Sequence, residues 1–155
     1  MTRSFTLLAD DRFGLPPGRH IPGSGSVPCL DFLRPINEHC PFKVESENWG
    51  DNVAYRYGWF LFLNAYYWES HEIWETVWMR CAVNSKERLL LKGIIQLANS
   101  RLKAVQGKNN AAQKILIQSR ELIEEAFRGS PETDSGSIMG VKQYDLLELN
   151  QDYAL

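Results

Sequence analysis

Cysteine is scarce in this chain of 155 residues, which contains three. Cys29, Cys40 and Cys81 are odd in number and form no Cys-x-x-Cys pair. The sequence therefore indicates neither a disulfide framework nor a cysteine-based zinc site. We expect thiols that are buried or have no special role.

Long apolar runs and an excess of positive charge are also missing. No stretch approaches the about 18 apolar residues of a transmembrane helix, and the first residues do not resemble a signal peptide. We therefore expect a cytoplasmic protein without membrane contact. The net charge of −2 makes nucleic acid an improbable partner. The basic residues in the middle of the chain are explained more simply as a solvated helix face.

Prolines are few after residue 50, because six of the seven lie in residues 1–50. Proline fixes φ and removes a hydrogen-bond donor, so this segment should lack long helices. It is too apolar for a purely solvated tail, although a disordered tail is the alternative. We predict an extended proline-rich arm, residues 1–50, that wraps a helical bundle of residues 51–155 within a single domain.

The most distinctive stretch is Tyr66 to Trp78, which combines acids, a histidine and five large aromatic residues. No glycine or proline interrupts the chain between Trp59 and Thr76, which predicts one continuous helix from about residue 52 or 56 to Arg80. One face of this helix is apolar. Glu69 projects away from this apolar face and from the second face, which is described next. A second face collects the polar and aromatic residues Asn64, Trp68, His71, Glu72, Glu75 and Trp78.

Further helices are predicted from about Lys86 to Gln106 and from about Asn110 to Phe127. Gly93 inside the first of these predicts a close helix crossing, and Ser85 is a plausible N-cap. A short helix is expected within residues 141–155. The short links favour antiparallel neighbours. The predicted fold is all-α, an antiparallel bundle of three main helices plus a short C-terminal helix.

Four segments together resemble the family called domain of unknown function 309: Leu15 to Gly23, Tyr57-Gly58, Tyr66 to Trp78, and Leu91 to Ala98. The run Tyr-Trp-Glu-x-His-Glu-x-Trp-Glu is the most specific. The resemblance covers about residues 15–127 and implies a small all-helical protein, but no reaction. The positions of the family motif in this chain are Arg19, Trp68, Glu69, His71, Glu72, Glu75, Trp78, Gly93 and Gln96.

Three positions depart from the family pattern. Where the family usually carries an Asp, an Asn and a His, this chain has Phe60, Leu63 and Val27. If the polar residues of the family form a site, the resemblance implies that part of it is missing here. This favours a structural role for the remaining acids.

An ionised carboxylate that faces inward requires a partner. His71 can pair with Glu75, and Lys92, Gln96 or Arg19 are candidates to complete a network. We favour a structural interpretation, in which this buried network fixes helix register and holds the arm. Function would then lie in self-association or a protein partner, and we expect no enzymatic activity, no cofactor and no metal ion.

The alternative is a small-ligand or hydrolase-like site, either metal-dependent or metal-free, with His71, Glu72 and Glu75 as the catalytic candidates. A zinc protease helix needs a second histidine where Glu75 stands, so a third metal ligand would have to come from elsewhere, for example from His20 or His39. Glu72 or Glu75 would otherwise act as a general base. The candidate ligand-binding residues are Arg19, Trp68, His71, Glu72, Glu75, Trp78, Lys92 and Gln96.

Overall fold

The computed structural model describes residues 2–128 and 136–151, and most of this part of the chain is helical. The α-helices are α1 (Thr2–Leu8), α2 (Leu30–Asn37), α3 (Val53–Leu63), α4 (Tyr67–Met79), α5 (Lys86–Val105), α6 (Asn109–Phe127) and α7 (Gln143–Gln151). A 3₁₀ helix, Ser46–Asp51, precedes α3, and two short strands, β1 (Ser137–Ile138) and β2 (Val141–Lys142), form an antiparallel hairpin before α7. The predicted all-α class is thus confirmed in its broad form.

The predicted continuous helix from about residue 52 or 56 to Arg80 is wrong, because the chain breaks it between Leu63 and Tyr67 into α3 and α4. Ala65 adopts a left-handed conformation, with φ of 65°. The Tyr66 N–H donates to the Leu61 carbonyl and the Ala65 N–H to the Phe62 carbonyl, which is the Schellman arrangement that ends a helix. Glycine usually occupies the left-handed position, so alanine there gave no warning in the sequence.

The bundle consequently has four main helices, α3 to α6, instead of the predicted three, and each packs against the next. Gly58 permits a close contact between α3 and α4, since a Cβ at this position would lie 2.1 Å from Trp74 Nε1. The Trp74 indole is fully buried and donates to the Tyr55 carbonyl at 3.1 Å. This contact fixes α4, and with it the candidate site, against α3.

The close crossing expected at Gly93 is present between α5 and α6. A Cβ on Gly93 would lie 2.8 Å from Ile123 Cγ1, and the Ser119 hydroxyl donates to the Gly93 carbonyl at 2.6 Å. The predicted N-cap is also present, because the Ser85 side chain accepts from the Arg88 N–H. No helix in the described part of the chain is long and apolar enough to span a membrane.

The first 50 residues were predicted to form an extended arm. They instead contain α1 and α2, and Pro35 lies inside α2. These helices bury Phe5, Leu8, Leu33 and Ile36 in the common core. The segment between them also binds the bundle, where Tyr57 Oη donates to the Gly14 carbonyl at 2.7 Å. The boundary at residue 50 stays a prediction.

The predicted short C-terminal helix corresponds to α7, which buries Leu146 and Leu149. Residues 152–155, included in that prediction, lie outside the described residues. Cys40 and Cys81 are buried, Cys29 is partly buried, and all three are free thiols.

Candidate functional site

Three predicted site residues come together on one face of α4: His71, Glu72 and Glu75, which we call the His–Glu cluster. His71 Nε2 lies 2.9 Å from Glu75 Oε1, and His71 Nδ1 lies 3.6 Å from Glu72 Oε1. The first contact follows from the four-residue spacing, which places two side chains one above the other on a helix. The imidazole ring therefore stands between two carboxylates.

The cluster is partly open to solvent. The side chains of His71, Glu72 and Glu75 are 19%, 31% and 47% exposed. Burial raises the pKa of Glu72, and the charge of Glu75 raises it further, while His71 and His20 oppose the shift. One ligand atom from each of the three residues lies within 4.8 Å of the others. The His71 Nδ1 atom is buried and has no hydrogen-bond partner among the described residues.

The partners predicted to close this cluster lie elsewhere. Arg19 is exposed, donates to the Asn64 carbonyl at 3.0 Å and stacks on the Tyr66 ring. Lys92 and Gln96 line an open groove of about 310 Å³ between α5 and α6. No hydrogen bond or ion pair within residues 2–128 and 136–151 joins any of these three to the cluster. The cluster is therefore not enclosed by these predicted partners.

Glu69 corrects the sequence analysis most sharply, because it does not project away from the protein. Its side chain is fully buried, and Oε2 accepts from the His20 N–H at 2.7 Å. Its other oxygen, Oε1, is buried with no partner in the described part of the chain. Burial raises the pKa of Glu69, opposed by the His20 N–H and by the positive charges of His20 and Arg19. We call this interaction the Glu69–His20 contact.

Two further contacts hold the His20 side chain in place. Its Nδ1 lies 2.9 Å from Ser26 Oγ, and its ring packs edge-on against Trp68 with centroids 4.7 Å apart. The charge of His20 opposes the raised pKa of both Glu69 and Glu72. From the sequence, His20 was expected only as one candidate third metal ligand. The resemblance noted at residues 15–23 was the only signal in the sequence that pointed to this segment.

The predicted aromatic walls have separate roles. Trp74 belongs to the core, whereas Trp68 and Trp78 are half-buried near the surface. The Arg88 guanidinium lies 4.1 Å from the Trp78 ring centroid. Phe60 and Leu63, two of the positions expected from the resemblance to depart from the family pattern, line an open groove of about 480 Å³ beside α1. Val27, the third, is 80% exposed.

Comparisons with known proteins support one assignment. Neither the curated proteins nor the solved structures gave a significant match. The model of the family described as "Domain of unknown function (DUF309)" matches residues 55–115, a segment that extends from the first turn of α3 into α6 and includes the whole of α4 and α5. The resemblance indicated by the sequence is thereby confirmed over this segment, and residues 55–115 of the chain form the part that matches DUF309.

Proposed function

We propose that the chain binds a divalent cation at the His–Glu cluster and that this is its functional site, with the character of a metal-dependent hydrolase. The observation that carries the proposal is the convergence of one imidazole nitrogen and two carboxylate oxygens within 4.8 Å. The proposal departs from the expectation of a metal-free structural network, because the predicted enclosing partners lie elsewhere.

The chemistry of the donor set supports a cation. Imidazole and carboxylate together suit borderline and hard ions such as Zn²⁺ and Mn²⁺. A zinc ion about 2.1 Å from each donor requires donor atoms roughly 3.4 Å apart in a tetrahedral site. The exposed Glu75 side chain has the freedom to make this small approach. Three protein ligands leave a coordination position for water or substrate, as in catalytic zinc sites.

The state of His71 sets the expected competition. A metal ligand must be the neutral imidazole ring, so protons compete with the cation for His71. A bound cation would replace one of the two carboxylate contacts of the ring, Nε2 with Glu75 or Nδ1 with Glu72. Cation binding should therefore weaken as the solution becomes more acidic.

Isothermal titration calorimetry of chelator-treated protein with ZnCl₂ and with MnCl₂ tests the proposal. We expect saturable binding of one ion per chain, weakened by about tenfold or more in His71→Ala and in Glu72→Gln, because each removes a ligand. Glu121→Gln, which removes an exposed acid from α6, is the matched control and should bind as the wild type does.

Two results would contradict the proposal. One is the absence of saturable heat with either ion. The other is equal affinity in the wild type and in the His71→Ala variant, which would place the bound ion on other acids. A protein partner or self-association, favoured by the sequence, would then be the function to pursue.

A further inference from the structure

A separate cavity of about 200 Å³ lies where α4 ends and α5 begins. Its walls come from the last turn of α4, the connecting turn and the first two turns of α5. The main lining residues are Trp78, Val83, Asn84, Arg88, Leu89 and Lys92. Trp78 follows Glu75 by three residues, so the cavity lies about one helical turn beyond the His–Glu cluster.

The charge of this cavity is of one sign. Arg88 and Lys92 lie four residues apart on α5, and the described residues that line the cavity include no acid. Arg88 is anchored, because its Nη1 donates to the carbonyls of Trp78 and Cys81 at 3.3 and 3.1 Å. Lys92 is exposed, and within the described ranges it forms no ion pair. Two cations in one cavity whose described lining includes no acid attract an anion, and Glu121 and Glu125 lie in the neighbouring groove that Lys92 also lines.

The remaining walls are apolar or aromatic. Val83 and Leu89 contribute aliphatic surface, and the Trp78 ring lies under the Arg88 guanidinium. The Trp78 Nε1 atom is buried and has no hydrogen-bond partner among the described residues. The Ser85 hydroxyl is already used as an acceptor for the Arg88 N–H. A ligand here meets cations at one side and an apolar wall at the other.

We propose that this cavity binds a small organic carboxylate with a compact aromatic body. The carboxylate pairs with Lys92 and the free side of Arg88, and the ring packs against Trp78, Val83 and Leu89. The volume is below the roughly 300 Å³ at which drug-sized ligand sites begin, so the ligand is small. The inference stands on this cavity alone and does not require a cation at the His–Glu cluster.

The test follows the Trp78 indole N–H by two-dimensional ¹H–¹⁵N NMR, with the resonance assigned by its loss in Trp78→Phe. Benzoate is the probe, and benzamide is its neutral counterpart of nearly the same shape. We expect a saturable shift with benzoate and little with benzamide. Lys92→Gln should weaken benzoate binding by roughly tenfold, because a charge-assisted hydrogen bond is lost.

Lys114→Gln, which removes an exposed lysine from α6, is the matched control and should bind benzoate as the wild type does. Lys92 is exposed, so its substitution should leave the fold intact, as the rest of the same spectrum will report. Equal binding of benzoate and benzamide would overturn the charge assignment. Equal shifts with inorganic phosphate and benzoate would overturn the aromatic body, and no shift with benzoate would overturn the site.

Discussion

Two acids of the same helix, Glu69 and Glu75, lie in opposite surroundings. Glu69 is fully buried and accepts from the backbone of His20, whereas the Glu75 side chain is 47% exposed beside His71. Both stand in the same aromatic and acidic stretch, within the segment that matches the family model. The difference arises outside α4, because the segment around His20 covers one side of the helix and leaves the other accessible.

The two acids should therefore affect different properties. A buried carboxylate that is only partly hydrogen-bonded lowers stability when it ionises, but its removal also leaves a donor without a partner. An exposed ion pair contributes little to stability and remains available for a ligand. The Glu69–His20 contact is thus expected to govern folding, and the His–Glu cluster to govern binding.

The largest effect on stability is expected from a change that disturbs the packing of α4, the helix that carries both acids. Gly58→Ala places a Cβ 2.1 Å from Trp74 Nε1, on the interface that positions α4. We expect a loss of about 3 kcal/mol in the free energy of unfolding, measured by urea denaturation, because the core must shift. Gly18→Ala, which meets no atom within 4 Å, is the control. A Gly58→Ala protein as stable as the wild type would disprove this tight contact.

A smaller effect should separate the two regions. Glu69→Ala removes the acceptor of the His20 N–H and leaves a cavity, so we expect a loss of about 2 kcal/mol in unfolding free energy. Glu69→Gln keeps an acceptor and should be tolerated far better near neutral pH. If Glu69→Ala costs no more than the exposed control Glu121→Ala, the Glu69–His20 contact does not hold the arm.

The pH dependence of Glu69→Gln follows from the raised pKa. In the unfolded chain Glu69 titrates near its ordinary value of 4.5, and burial raises the value in the folded protein. At pH values between these two pKa values, Glu69 is protonated in the folded protein but ionised in the unfolded chain. Glu69 therefore lowers the stability of the fold as pH rises through that range. Urea denaturation at several pH values should show that Glu69→Gln gains stability relative to the wild type as pH increases. The pKa of Glu72 is also raised, but Glu72 is present in both proteins, so its contribution to the pH dependence cancels in the comparison.

Local sequence rules predicted much of the fold. The spacing of apolar residues located α5 and α6, Gly93 marked the helix crossing, and Ser85 marked the start of α5. The break after α3 was missed because its left-handed residue is Ala65, which carries no local signal for that conformation. Helices α1 and α2 were missed because the prolines of that segment suppressed a helical interpretation, although Pro35 is accommodated within α2.

The candidate site was also predicted only in part, because the sequence reports contacts within one helix but not contacts between distant segments. Helical spacing alone brings His71 to Glu75, so that pair was accessible from the sequence. The burial of Glu69 depends on His20, which is 49 residues away along the chain, and no periodicity within α4 reports such a contact. Lys92 and Gln96 were correctly placed on the next helix, but the register between α4 and α5 decides what they face.

The smallest expected effect on stability belongs to Glu75→Gln, which contrasts most directly with Glu69→Ala. The His71–Glu75 pair is an i,i+4 contact with a half-exposed acid, so its loss should cost no more than about 0.5 kcal/mol in unfolding free energy. The same variant should bind Zn²⁺ more weakly in calorimetry, because a ligand oxygen is replaced by a neutral amide. Glu121→Gln should change neither quantity. A loss above about 2 kcal/mol with unchanged Zn²⁺ binding would instead identify the His–Glu cluster as a structural network, since breaking a buried charged pair carries a cost of that size.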